Sequence, residues 1–190
     1  MAETAANPAT RATRLIGIAI PTLRELRAAA LSRHASDAAG DAEGVDSLRA
    51  AGYAGGEAVY DAFEQWLAEE PSAQSSTASR SAPDLTLQEF GERAARYFHA
   101  AGWGQVEFNA AHEEGVASLT MENCWEADAD GSEPGPSCHV TTGMLAAFFG
   151  RLAGYPVSVM EIDCRSASAE RCRFLLGNSD VMAYKWEQLR

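Results

Sequence analysis

The sequence predicts an α+β domain: N-terminal helices packed on an antiparallel sheet, with a buried helix between two pairs of strands. Two observations predict it. Apolar residues recur at helical spacing through the first half, and from Gln105 the period shortens to strand-like alternation. The second half then reads strand, strand, helix, strand, strand, and such segregation of helices from strands marks this class. The 190 residues, 46% of them apolar, suffice for one domain with a sizeable core.

In order along the chain, residues 1–11 read as a flexible tail, and 12–190 as a single domain. Thr13 to His34 carries Leu15, Ile18, Leu23, Leu26 and Ala30 at helical spacing, with Pro21 marking a break or a fresh helix start. Asp37 to Gly44 reads as a linker. Leu48 to Glu69 is a strong helix with Tyr53, Tyr60, Phe63, Trp66 and Leu67. Its run of small residues, Gly52, Gly55 and Gly56 among alanines, lets another backbone approach closely. The Ser-, Ala- and Pro-rich stretch 71–84 reads as a mobile loop.

Thr86 to Ala101 is a third helix. Thr86 is its N-cap, Glu89 stands at the capping-box offset, and Gly102 ends it. Gln105 to Asn109 and Val116 to Glu122 alternate as strands around a polar turn at His112 to Gly115. Asp128 to Pro136 is a loop. Val140 to Leu152 is a buried helix stopped by Gly154 and Pro156. Val157 to Ile162 and Arg171 to Leu176 are strands, and Ser179 to Gln188 is a final short helix.

The formal net charge of −12 argues against nucleic acid as the main partner, since phosphate binding wants clustered Lys and Arg. It also argues against anionic membrane surfaces. No run of about 18 apolar residues is present, and Met1 to Thr10 lacks the basic and apolar regions of a signal peptide, so a cytoplasmic location is expected. There is no Gly-rich phosphate loop and no defensible nucleophile–base pair, so catalytic residues are expected to be absent.

Four cysteines, Cys124, Cys138, Cys164 and Cys172, are not expected to form disulfides in a reducing cytosol. They are buried apolar thiols, reactive thiols or metal ligands. Cys138 precedes the buried helix, Glu161 and Cys164 stand at the end of a strand, and Cys172 opens the next. Three thiolates beside a carboxylate repel one another unless a cation sits between them. The C-x25-C-x7-C spacing by itself separates zinc poorly from gap-filling thiols.

The stretch "CHVTTGMLAAFFGRLAGYPVSVMEIDCRSASAERCRFLL", together with "AAGYAGGEAVYDAF" upstream, resembles the 4-vinyl reductase domain. This is the fold of the sensor domains of aromatic-responsive activators, and it is related to small subunits of vesicle tethering complexes. In zinc-binding members the ligands are a Cys before the helix, a Glu three residues before a second Cys, and a third Cys eight residues later. The resemblance therefore implies a Zn2+ bound by Cys138, Glu161, Cys164 and Cys172. It ranks Cys124 behind Glu161 as fourth ligand, with Asp163 and His139 as weaker substitutes. Such a closed first shell leaves no open position for water or substrate, so the metal's role would be structural.

The resemblance further implies a small apolar or aromatic ligand and a homodimer, with no nucleic acid or membrane partner. Candidate pocket residues are Tyr60, Tyr97, His99, Trp103, Trp125 and Phe148, although aromatic residues dominate ordinary cores and His99 suits a helix end. Phenol sensors of the family hold the phenol hydroxyl with a His and a Trp. In "MENCWEA", Met121 stands near that Trp position and Trp125 comes four residues later. The leading function is ligand binding and sensing. The alternatives are an enzyme or accessory protein in tetrapyrrole vinyl reduction, and a structural adaptor subunit.

Overall fold

A computed structural model describes residues 17–32, 38–69, 81–113, 115–128 and 133–188. The expected tail at 1–11 and most of the loop at 71–84 lie outside the described residues. Among the described residues, α1 spans Ile20–Ser32, α2 Ala38–Glu69, α3 Leu87–Ala100, α4 His139–Ala153 and α5 Ser179–Gln188. The strands are β1 Gln105–Glu113, β2 Val116–Glu122, β3 Ser158–Asp163 and β4 Cys172–Gly177. They form one antiparallel sheet in the order β1-β2-β4-β3, with α4 connecting β2 to β3. This is the predicted α+β class, with the buried helix between strand pairs.

The alternation of each strand sorts its residues between two faces. Phe108, Leu119, Met121, Cys172, Phe174 and Val159 belong to the main core under α4. Val116, Leu175, Met160 and Ile162 form a second cluster with Val181 and Met182 of α5 on the other face. Under α4 the core is aromatic. Phe108 stacks on Phe149 at 5.6 Å between centroids, and Phe63 meets Tyr97 at 5.2 Å and Phe148 at 5.6 Å.

The small residues read in α2 do what close approach requires. A Cβ at Gly52 would fall on the Val140 carbonyl, and one at Gly56 would meet the Met144 carbonyl. From the other side, a Cβ at Gly143 of α4 would fall on the Arg49 carbonyl. The two helices thus touch backbone to backbone.

Three boundaries differ from the expectation. The stretch read as a linker is helical from Ala38, and α2 runs through Gly44. Gly44 is buried one turn before buried Leu48, and that packing outweighs the low helix propensity of glycine. The turn expected at His112 to Gly115 is tighter, because β1 continues to Glu113, which pairs with Val116. Residues 17–19 are not helical, and α1 starts immediately before Pro21, as its fixed φ favours. The Thr86–Glu89 capping box is formed, with the Glu89 amide donating to Thr86 Oγ1 at 3.3 Å and the Thr86 amide donating to the Glu89 carboxylate at 2.9 Å.

The start of α4 is buried, and its N-cap, Cys138, makes no side-chain cap bond. Capping comes instead from Glu126, which is 1% exposed. Its carboxylate accepts from the Val140 and Thr141 amides at 2.9 and 2.8 Å. Arg27 of α1 reaches the same carboxylate at 3.6 Å and donates to the Ser137 carbonyl at 3.0 Å. Arg24 donates to the carbonyls of Trp125 and Ala127. One helix therefore clamps the loop that leads into another.

Two stability tests follow from these contacts. Gly143→Ala forces α2 and α4 apart, and overpacking of about 1–3 kcal/mol lowers Tm by roughly 3–10 °C. Glu126→Gln presents an amide N–H to one of the two helix amides. Leaving buried donors unmatched costs about 1–3 kcal/mol, read as the loss in a urea melt. An unchanged melt in either variant contradicts the contact concerned.

Candidate metal centre

The four residues named from the sequence meet. One ligand atom from each of Cys138, Glu161, Cys164 and Cys172 lies within 4.8 Å of the others, and all four residues are buried. Local structure explains each placement. Cys138 sits at the N-cap of α4. Cys172 opens β4 opposite Met121, so it faces the core. Cys164 directly follows β3, and its carbonyl accepts from the Ala167 and Ala169 amides at 3.0 and 3.1 Å. That turn, with Ser168 at a φ of 68°, brings β4 back beside β3.

Glu161 shares the inward face of β3 with Val159. The pairing then shifts between Glu161 and Asp163, which puts Asp163 opposite Arg173 instead of into the cluster. Asp163 accepts from Arg173 Nε at 2.6 Å and is partly exposed. His139 also stays out of the cluster and lines a surface cleft. Its pKa is lowered to about 4, first by burial and then by Arg49 and Arg27. The two weaker substitutes thus lie elsewhere.

The sulfur geometry suits a metal. Cys138 Sγ lies 3.8 Å from Cys164 Sγ and 3.7 Å from Cys172 Sγ. A tetrahedral ion with metal–sulfur bonds of about 2.3 Å has sulfur–sulfur edges of about 3.8 Å. Glu161 Oε2 accepts the Cys138 amide at 2.9 Å, while its Oε1 is buried with no hydrogen-bond partner. A buried carboxylate oxygen without a partner is costly, and a cation at the cluster would satisfy it.

Electrostatics point the same way. Burial, then the charge of Cys164, raises the Glu161 pKa to about 8. Shared hydrogen bonds with Cys124, Cys164 and Cys172 push the Cys138 thiol far up, while the Cys164 thiol, bonded by Cys138, is held far down. With protons alone, the cluster cannot ionise all its members. A divalent cation would let it do so, beside the positive end of α4.

Cys124 stands beside this group. Its Sγ is 3.7 Å from Cys138 Sγ and 3.7 Å from Thr141 Oγ1. Bonds with Cys138 and Cys172, and with the Glu126 amide, hold its thiol well below the usual range against the effect of burial. It follows Asn123, whose φ of 54° turns the chain out of β2.

The six candidate pocket residues divide. Tyr60, Tyr97 and Phe148 are buried in the aromatic core, and Tyr97 donates to the Val59 carbonyl at 3.2 Å. His99 is exposed in the last turn of α3. Trp103 and Trp125 pack edge to face at 6.0 Å. Both line an apolar pocket of about 440 Å3 with Ile20, Leu23 and Leu26 of α1. Arg27 and Glu126 are the residues that sequence reasoning missed. An Arg amid the apolar residues of a helix and a Glu after a Trp look like ordinary surface charges, and only the tertiary pairing buries them.

Comparison with known proteins finds likeness in fold and a family-model match over part of the chain. No curated protein matches the chain in sequence. Among solved structures, the phenol-responsive sensory domain of the transcription activator PoxR, with phenol, is similar at a TM-score of 0.62 and 17% identity, over 90% of this chain and 82% of that one. A trafficking protein particle complex subunit 3 from Naegleria fowleri, covalently bound to palmitic acid, is similar at a TM-score of 0.55 and 13% identity, over 83% of this chain and 93% of that one. A vinyl-4-reductase family protein from Methanocaldococcus jannaschii aligns at a TM-score of 0.47 and 14% identity, over 86% and 83%. The family model of the 4-vinyl reductase domain matches residues 117–178, so the segment from β2 to β4 that carries all four cysteines is where this chain matches that domain.

Proposed function

We propose that the chain is a small-molecule binding and sensing domain for an apolar or aromatic ligand, with a structural zinc ion held by Cys138, Glu161, Cys164 and Cys172. The observation that carries the metal is the unpartnered Glu161 Oε1 in a buried group with three sulfurs, two of which lie at tetrahedral spacing from that of Cys138. Zinc supplies charge neutralisation and cross-linking here. The residues themselves tie the start of α4 to the ends of β3 and β4.

The match to the 4-vinyl reductase domain and the likeness to a phenol-responsive sensory domain support the ligand reading. The pocket at Trp103 and Trp125 is the site that suits such a ligand, and its size falls in the ordinary range for small-molecule sites. Its wall is the metal loop. Trp125 adjoins Cys124, and Arg27, which lines the pocket, holds the carbonyl of Ser137 next to Cys138. Zinc would thereby fix one side of the pocket.

A second reading, an adaptor subunit, is favoured by the exposed Ile18, Ile20 and Leu26 on and before α1. The same surface would serve a homodimer. No described helix is long and apolar enough to cross a membrane.

Native mass spectrometry of protein purified without chelator is expected to show about one zinc per chain and a dimer. Less than about half an equivalent removes the metal assignment. Cys164→Ser is expected to lower Tm by about 10 °C or more, and an unshifted melt means that the metal holds no structure. For the ligand, zinc-loaded protein is titrated with phenol, toluene and decanoic acid while tryptophan emission is followed. Saturable binding tighter than about 1 mM by at least one probe, weakened about tenfold in Trp103→Ala, is the expected result. No saturation with any probe rejects the pocket.

A further inference from the structure

Cys138 has a third sulfur neighbour that the zinc reading leaves unused. The Cys124, Cys164 and Cys172 sulfurs lie 3.7, 3.8 and 3.7 Å from it, so all three distances match the edge of a four-sulfur tetrahedron. Cys124 is 2% exposed and is held in place by backbone geometry at Asn123. Beside the four grouped donors, Cys124 thus stands as a further thiol in reach of Cys138.

We propose that Cys124 is an exchangeable ligand of this centre, replacing Glu161 to give a four-thiolate set that binds soft, thiophilic cations. The proposal rests on the metal reading above. Softness decides which set is used. Zinc is borderline and accepts a carboxylate, whereas a softer cation such as Cd2+ gains more from a fourth thiolate. The exchange is balanced as a ligand substitution. The Cys124 thiol loses its proton to solvent as its sulfur joins the metal, and the Glu161 carboxylate leaves.

Glu161 has somewhere to go. It lines a surface cleft of about 750 Å3 with Arg49, Pro136, His139 and Ser158, so a released carboxylate reaches water on that side. Its Oε2 keeps the bond from the Cys138 amide, which needs no metal, while Oε1 is the oxygen that the exchange frees. Cys124 lies against Thr141, among the residues of the core.

The test uses the full chain loaded with Cd2+ or Zn2+, read by 113Cd NMR and by competition with a chromophoric chelator. With Cd2+, the wild-type shift is expected to be that of four sulfur ligands, and Cys124→Ser is expected to move it to three sulfurs and one oxygen. The same substitution is expected to weaken Cd2+ binding about tenfold or more, with a much smaller change for Zn2+. Glu161→Gln is expected to keep Cd2+, and Glu161→Gln combined with Cys124→Ser to lose it. A wild-type Cd2+ shift of three sulfurs and one oxygen, unaltered by Cys124→Ser, overturns the exchange while leaving the metal site intact. Failure of the wild type to take up either metal overturns both readings. The wild-type and Cys124→Ser spectra decide the matter even where the Glu161 variants do not fold.

Discussion

The first turn of a buried helix has amide groups that no residue of its own helix can satisfy. In α4 that turn is largely buried, and the chain meets the requirement with two carboxylates. Glu126 takes the Val140 and Thr141 amides, and Glu161 takes that of Cys138. Each carboxylate then needs its own counterpart. Glu126 finds Arg27 of α1. Glu161 keeps one buried oxygen without a hydrogen-bond partner. The metal reading, the clamp of α1 and the wall of the Trp103–Trp125 pocket all descend from this one capping requirement.

The position of that helix start is itself fixed from behind. Glycines at 52, 56 and 143 bring α2 and α4 into backbone contact, so α4 cannot slide along α2 without collision. Fixed between α2 and the sheet, the helix holds Cys138 where the ends of β3 and β4 can meet it. A donor set contributed by three separate elements needs this rigidity, because a tetrahedral ion tolerates little variation in distance.

Much of this was legible in the sequence. The capping box at Thr86 and Glu89 is a local physical signal, and α3 starts where it says. The small residues of α2 announced close packing. Spacing alone left the cysteines ambiguous, and the family resemblance named the Cys/Glu group that the fold brings together. What was not legible depends on long-range pairing. Gly44 looked like a linker residue because its helical state is sustained by packing. Tyr60, Tyr97 and Phe148 were pocket candidates whose aromatic type equally suits a core; Tyr60 packs on Phe148, and Tyr97 and Phe148 both pack on Phe63. The inward turn of Cys124 depends on a positive φ at Asn123, which suits asparagine without requiring it, and the outward turn of Asp163 on a shift in β3 pairing that leaves no mark in residue type.

The clamp of α1 has one more property. Arg24 and Arg27 grip the carbonyls of Trp125, Ala127 and Ser137, which every amino acid supplies alike. Three of the anchor points are therefore anonymous. Relatives could exchange the side chains at 127 and 137 while keeping the grip, provided the arginines remain. Covariation between α1 and this loop would be faint even though the two are mechanically joined.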